Sequence, residues 1–67
     1  MQRRPNRFLR KKMVMDRTGL THSTLYRKVA DGEFPEPIKL GERASAWLEV
    51  EVDQWMADRI AQSRAAS

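Results

Sequence analysis

The stretch from Thr18 to Lys28, Thr-Gly-Leu-Thr-His-Ser-Thr-Leu-Tyr-Arg-Lys, decides the fold because it combines a helix stop signal with a helix start signal. Gly19 can adopt the positive φ that ends a helix, and the Thr21 hydroxyl can cap the helix that follows. The apolar residues spaced to anchor this second helix to a core are Leu20, Leu25 and Val29. The pattern predicts a helix-turn-helix.

The second helix is expected over 22–30, and its outward side chains are all able to touch nucleic acid. A recognition helix presents its N-terminal residues to base edges in the major groove and its flanks to phosphates. The residues predicted to contact DNA from this unit are Thr21, His22, Ser23, Thr24, Tyr26, Arg27 and Lys28. The competing interpretations are a plain helical hairpin with a solvated face, an exposed His22 without a ligand, and a packing role for the Tyr26 ring.

Composition excludes several other classes of protein. A chain of 67 residues forms one small domain that buries only about 60% of its unfolded surface, so a deep catalytic cavity is not expected. It has no cysteine and one histidine, which argues against a disulfide, a metal site or any cofactor. Its three glycines are not clustered into a phosphate loop. We therefore expect a protein that is not an enzyme.

Charge is polarised along the chain. Residues 1–28 hold nine Arg or Lys against the single acid Asp16, whereas residues 29–67 hold four bases against eight acids. The whole chain carries +4 at a sequence pI near 10.1. This asymmetry predicts a basic face for a polyanion and an acidic remainder, and the alternative is a solvated basic tail. No apolar run is long enough for export or membrane spanning, and the absence of cysteine suits a reducing compartment, so we expect a cytosolic protein.

The predicted domain occupies residues 8–62, between a flexible basic arm over 1–7 and a frayed C-terminal tail over 63–67. An apolar pattern that starts at Phe8 and Leu9 gives a first helix of about two turns, ending at Gly19. After Gly32, the two prolines in 34–37 require an extended connection.

A β-hairpin follows that connection. Residues 38–40 alternate apolar and basic, 41–43 can form a turn, and 44–47 can return as a second strand. A hairpin beside a helix-turn-helix is a wing, and this one spans about 38–47. It would bring Lys39 and Arg43 to the DNA backbone or the minor groove. The alternative interpretation is that both side chains are ordinary solvent-exposed residues of the hairpin.

A third helix is predicted from Leu48 onward, since the apolar residues Val52, Trp55, Met56 and Ile60 form one stripe. Acids at positions 49, 51 and 53 suit the start of a helix, and we expect them and Asp58 to be scattered over a solvated surface. Trp47 and Trp55 are assigned to the core, because so small a domain needs its large apolar side chains there. The predicted fold class is mainly α with a small β-hairpin, a winged helix-turn-helix with three helices.

With these residues placed, the chain resembles the AlpA family of small phage and prophage regulators, whose fold is similar to MerR-like winged helices and to excisionases. The residues that carry the resemblance are Phe8-Leu9-Arg10, Thr18-Gly19-Leu20-Thr21, Ser23-Thr24-Leu25-Tyr26-Arg27, Gly32-Glu33-Phe34-Pro35, Pro37-Ile38-Lys39-Leu40-Gly41, Arg43, Trp47-Leu48-Glu49, Glu51-Val52 and Trp55. Family members usually have Ser where this chain has Thr21, which keeps the cap, and often a basic residue where it has His22.

The resemblance implies sequence-specific binding to double-stranded DNA and control of mobile-element genes. An integrase or RNA polymerase is a further candidate partner. Because one winged module covers only about 600 to 1,000 Å² of protein surface on DNA, which usually gives modest affinity, we also expect self-association on adjacent sites. One alternative with the same binding physics is an excisionase or directionality factor that bends attachment-site DNA. An alternative of another class is an adaptor whose basic arm binds an acidic protein surface.

Overall fold

A computed structural model describes residues 7–66. In chain order its elements are β1 (Phe8–Leu9), α1 (Lys11–Thr18), α2 (His22–Ala30), β2 (Ile38–Gly41), β3 (Ala44–Leu48) and α3 (Glu49–Ala66). The mainly helical class with three helices and a hairpin is confirmed. The predicted flexible arm lies outside the described residues, apart from Arg7.

The turn between α1 and α2 is built as the sequence predicts. Gly19 has φ +76° and its N–H donates to the Met15 carbonyl at 2.8 Å, which closes the last turn of α1. The Thr21 hydroxyl accepts from the Thr24 N–H at 3.2 Å and caps α2. Gly32, also at φ +76°, ends α2 in the same way, and the following N–H reaches back to the Lys28 carbonyl at 2.8 Å. The end of α1 and the two ends of α2 therefore follow from local signals in the sequence.

The sheet has three strands, in the order β1-β3-β2, and all neighbours are antiparallel. The predicted hairpin is β2 and β3, with a turn at 42–43 and an irregular register between Lys39 and Gly41. The sequence interpretation placed Phe8 and Leu9 at the start of the apolar pattern but missed that they form β1, in which they pair with Leu48 and Trp47. A strand of two residues shows no alternation, and its partner lies far along the chain, so no local pattern reveals it.

Helix α3 begins at Glu49 and continues to Ala66. Val52 is fully buried and Trp55 and Met56 pack against the core, as the predicted stripe requires. Ile60 departs from that prediction, because it is 49% exposed. The core is too small to cover the last turns of so long a helix. Positions 63–66, expected to fray, are helical, since the chain holds no Pro or Gly there to end the helix.

The core lies between the helices and one face of the sheet. Its buried members are Leu9, Val14, Leu25, Phe34, Trp47 and Val52. The Trp47 indole N–H donates to the Pro35 carbonyl at 2.8 Å, and the Trp55 indole N–H donates to the Glu33 carbonyl at 2.7 Å. Both tryptophans are structural, as predicted, and they fix the extended connection that places the wing beside α2.

Candidate nucleic-acid interface

Helix α2 has one side in the core and the other in solvent. Leu25 is fully buried, whereas Ser23 and Arg27, two residues before and after it, are exposed. At about 100° per residue, positions two before and two after Leu25 project from the opposite side of the helix. Ser23 and Arg27 are thus neighbours at i and i+4, and they form the centre of the solvent-facing surface of α2.

The first turn of α2 suits an anion. It contains no acidic residue, and both His22 and Ser23 are exposed there. The N-terminal turn of a helix carries unpaired N–H groups and the positive end of the helix dipole. Phosphate oxygens are favourable ligands for such a turn, and the adjacent hydroxyl and imidazole can donate hydrogen bonds as well.

The hydroxyl groups of Thr21 and Thr24 make hydrogen bonds within the protein. The Thr21 hydroxyl donates to the Thr24 hydroxyl at 3.0 Å while it accepts from the Thr24 N–H. Thr24 is also partly buried. These two predicted contact residues therefore hold the start of α2 in place, and their methyl groups are the parts left to meet a ligand.

Tyr26 links α2 to the wing. Its ring centroid lies 4.8 Å from that of His22 and 6.2 Å from that of Trp47, and the residue is 38% exposed. The ring therefore covers an edge of the core while the side chain keeps access to solvent. Both roles that the sequence leaves open for Tyr26 are compatible with this position.

The two basic residues at the end of α2 differ. The Lys28 ammonium lies 3.7 Å from a Glu33 carboxylate oxygen, and the Lys28 side chain is only 22% exposed. Arg27 is exposed and forms no ion pair with any of residues 7–66. The guanidinium of Arg27 is thus the cation of α2 that is most available to a phosphate or a base edge.

The wing presents its cations beside α2. Lys39 pairs with Ser45, so it shares a sheet face with Trp47, two residues further along β3. Trp47 contacts Tyr26 of α2, which places Lys39 on the same side of the sheet as that helix. Arg43 lies in the exposed turn between β2 and β3. The predicted helix and wing residues are compatible with one continuous surface.

Arg17 has a structural role that the sequence interpretation missed. Its guanidinium donates to a Glu49 carboxylate oxygen at 2.7 Å and to an Asp53 oxygen at 3.0 Å, and so ties α1 to α3. These acids were expected to be scattered and solvated, but Glu49 and Asp53 are at i and i+4 and share one side of α3. The pairs span 32 and 36 residues of sequence, so no local signal could have indicated them.

The part of the chain that the structure describes shows neither a metal-binding cluster nor a membrane-spanning helix. Within residues 7–66 there is no cluster of three or more His, Asp or Glu side chains that could hold a metal ion. None of the helices in this range is both long and apolar enough to cross a membrane.

Comparison with known proteins identifies one family and relatives in a phage and in a bacterium. The family profile described as prophage CP4-57 regulatory protein (AlpA) matches residues 7–60. An uncharacterized protein, ORF88, of Enterobacteria phage P4 is 51% identical over 55 residues, which cover 82% of this chain and 62% of the phage protein. The DNA-binding transcriptional activator AlpA of Escherichia coli strain K12 is 32% identical over 59 residues, covering 79% of this chain and 84% of the activator.

The chain thus spans less than two thirds of the phage P4 protein but most of the E. coli activator. No solved structure matches it significantly.

Proposed function

The chain belongs to the AlpA family of prophage regulatory proteins, and on that premise we propose that it binds double-stranded DNA sequence-specifically and regulates transcription of phage or mobile-element genes. Helix α2 enters the major groove, and the wing of β2 and β3 lies along the backbone or in the adjacent minor groove. The similarity to a DNA-binding transcriptional activator supports the class of function.

One observation carries the proposal. Helix α2 is capped by Thr21, its first turn lacks acids, and its outer side presents Ser23 and the unpaired Arg27. The cap would stabilise any helix, but an exposed first turn without acids, next to a short hydroxyl and an unpaired guanidinium, is suited to a helix that meets anionic DNA in a groove. Short hydroxyls permit close approach to base edges, and a guanidinium can contact guanine or phosphate in two places.

The residues divide by role in this proposal. Ser23 and His22 read base edges at the start of α2, Arg27 contacts a base edge or phosphate one turn later, and Lys39 and Arg43 contact the backbone from the wing. Thr21, Thr24 and Tyr26 hold these groups in place while their exposed atoms line the groove. Lys28, whose charge is partly balanced by Glu33, contributes the weakest phosphate contact.

The test is fluorescence anisotropy with the duplex that flanks the chain's own gene and with a scrambled duplex of the same composition, at two salt concentrations. We expect a preference of about a hundredfold, roughly 2.7 kcal/mol, that persists at the higher salt. Equal binding that salt abolishes for both duplexes would overturn the proposal and favour a basic protein-interaction module.

A second experiment distinguishes sequence-specific contacts with bases from non-specific electrostatic attraction to DNA. Ser23→Ala removes one hydroxyl and no charge, so we expect it to reduce the preference for the flanking duplex while the affinity for the scrambled duplex is kept. An equal loss on both duplexes would mean that Ser23 supports the helix and does not read sequence.

Bending of the DNA distinguishes a promoter regulator from an excision factor. The same interface serves both, because bending depends on how several copies meet the duplex. Gel mobility of duplexes with the site at different positions measures the bend. A large bend on attachment-site DNA, without a preference for promoter DNA, would shift the function to excision.

A further inference from the structure

A depression of about 500 Å³ lies beside β1 and the start of α1, and none of the residues assigned to DNA lines it. Its apolar floor includes Phe8 and Met13, each 48% exposed. Its rim carries three cations, Arg7, Arg10 and Lys12, and one acid, Asp16. We call Phe8, Met13 and the three cations the basic patch. Side chains as large as Phe and Met are costly to leave in water together, so the patch is suited to a partner that is both apolar and acidic.

A second surface has the opposite charge. Pro35 and the partly buried Trp55 line a shallow depression of about 280 Å³, together with Glu51, Gln54 and Asp58. We call these five residues the acidic patch. Gln54 donates to Asp58 at 2.9 Å, while Glu51 has no ion pair within residues 7–66. This surface is suited to a partner that is apolar and basic.

The two patches lie on different sides of the domain. Arg17 of α1 is paired with Glu49 and Asp53, so the side of α3 that carries these two acids faces α1. At about 100° per residue, Glu51 and Asp58 project from roughly the opposite side of α3. The basic patch includes the start of α1, so one molecule cannot bring its own two patches together.

We propose that the basic patch binds the acidic patch of a second copy of this chain. The argument is charge complementarity, because three cations and one carboxylate line one depression, whereas two carboxylates and no cation line the other. Arg59 lies at the edge of the second depression, with its guanidinium 5.7 Å from the centroid of the Trp55 ring. Arg10 and Lys12 have no ion-pair partner among the described residues, so their charges are available to another molecule. The contact is heterologous: in a pair of copies, one keeps its acidic patch unused and the other keeps its basic patch unused, so further copies can add in a row.

The contact between copies does not itself require DNA. Its consequence for DNA binding rests on the proposed function. Each patch has only about five residues, so the interface belongs to the small, transient class. One winged module also covers only about 600 to 1,000 Å² of protein surface on DNA. On adjacent DNA sites, tethering raises the effective concentration of neighbours, and a weak contact then becomes cooperative binding.

Analytical ultracentrifugation of the free protein tests the contact without DNA, so its failure and that of the proposed function are distinguishable. At about 50 mM salt, where charges are weakly screened, we expect the sedimentation coefficient to rise with protein concentration. Lys12→Glu and Glu51→Lys should each lower the association constant about tenfold, because each opposes like charges across the contact.

The matched control for charge is Lys11→Glu, which makes the same change on an exposed residue of α1 outside the depression and should leave association nearly unchanged. An equimolar mixture of the Lys12→Glu and Glu51→Lys proteins should regain association, because the intact basic patch of one meets the intact acidic patch of the other. Far-UV circular dichroism verifies that both exposed substitutions leave the fold intact.

A wild-type protein that stays monomeric up to about 1 mM would overturn the proposal, as would unchanged association in both charge-reversed variants. Failure of the mixture to associate, with each variant folded, would also overturn it, because the two patches would then not be each other's partners.

Discussion

Helices α2 and α3 begin in opposite ways. The first turn of α2 has no acid and is closed by the hydroxyl of Thr21, whereas the first turn of α3 contains Glu49 and Glu51. Acids near a helix N-terminus are stabilising because they complement the helix dipole. The first turn of α3 therefore carries its own negative charge, whereas α2 has a hydroxyl cap but no acid to balance the positive end of its dipole, which under the proposed function is available to phosphate.

The cations show the same difference. Arg17 faces α3 and its charge is neutralised by two carboxylates, while Arg27 on α2 has no ion pair among residues 7–66. Two arginines ten positions apart are thus used differently, one to hold the fold and one at the proposed interface. A positive residue in a basic half of a chain does not by itself indicate contact with DNA.

The largest expected effect comes from removing Trp47, which belongs to the same buried core as Leu25 of α2 and Val52 of α3. Trp47 is fully buried and lies between Tyr26 of α2 and the connection after it. Trp47→Ala should cost about 3–5 kcal/mol in the free energy of unfolding, enough to unfold a domain of this size. Thermal melting followed by circular dichroism measures it. Trp47→Phe, which keeps an aromatic ring, is the milder comparison, and a melting temperature unaffected by Trp47→Ala would refute the assignment of Trp47 to the core.

Removing the hydroxyl cap should weaken α2 alone. Thr21→Ala leaves the Thr24 N–H without its side-chain acceptor, which costs about 1 kcal/mol of stability, and DNA affinity should fall with it because the start of α2 frays. Urea unfolding and anisotropy measure the two losses. Thr21→Ser keeps the hydroxyl and should restore both. A stable Thr21→Ala protein that still loses DNA binding would instead indicate a direct contact.

Breaking the link between α1 and α3 should have a smaller effect. Arg17→Ala removes two ion pairs near the surface, so we expect a loss of about 0.5–1 kcal/mol in the free energy of unfolding. The melting temperature should fall by a few degrees, and the effect should be smaller in high salt. A double-mutant cycle with Glu49→Gln isolates the interaction. Additive effects of the two substitutions would mean that the pair contributes nothing to stability.

The wing offers the smallest effect. Arg43→Ala should lower DNA affinity modestly and reduce the slope of log affinity against log salt by about 0.9, the value of one phosphate contact. Glu42→Gln, a neighbouring change in the same turn that also alters one charge, should not reduce the slope. An unchanged slope in Arg43→Ala would remove the wing turn from the interface.

Local signals account for much of the fold. The boundaries of α2 were predictable because Thr21 and Gly32 act through their own backbone and nearest neighbours. The hairpin was predictable because its strands are adjacent in sequence. The order of polar residues on α2 likewise sufficed to propose which side chains face a ligand, and their role in DNA binding stays a prediction.

Long-range pairing accounts for what was missed. Strand β1 forms only because Phe8 and Leu9 meet the end of β3, some 40 residues later. In the sequence, Arg17 is indistinguishable from the other cations of the basic half. Its pairing with Glu49 is visible only in the folded structure. The exposure of Ile60 depends on how far the core extends along α3. The spacing of apolar residues in the sequence does not give that length.

The most direct test of this account measures DNA affinity and melting temperature side by side for Arg27→Ala and Arg17→Ala, which each remove one positive charge. We predict that Arg27→Ala lowers affinity for the flanking duplex by about tenfold or more with an unchanged melting temperature. Arg17→Ala should lower the melting temperature and change affinity far less. Equal losses of affinity in the two variants would contradict the account, because net charge alone would then explain the binding.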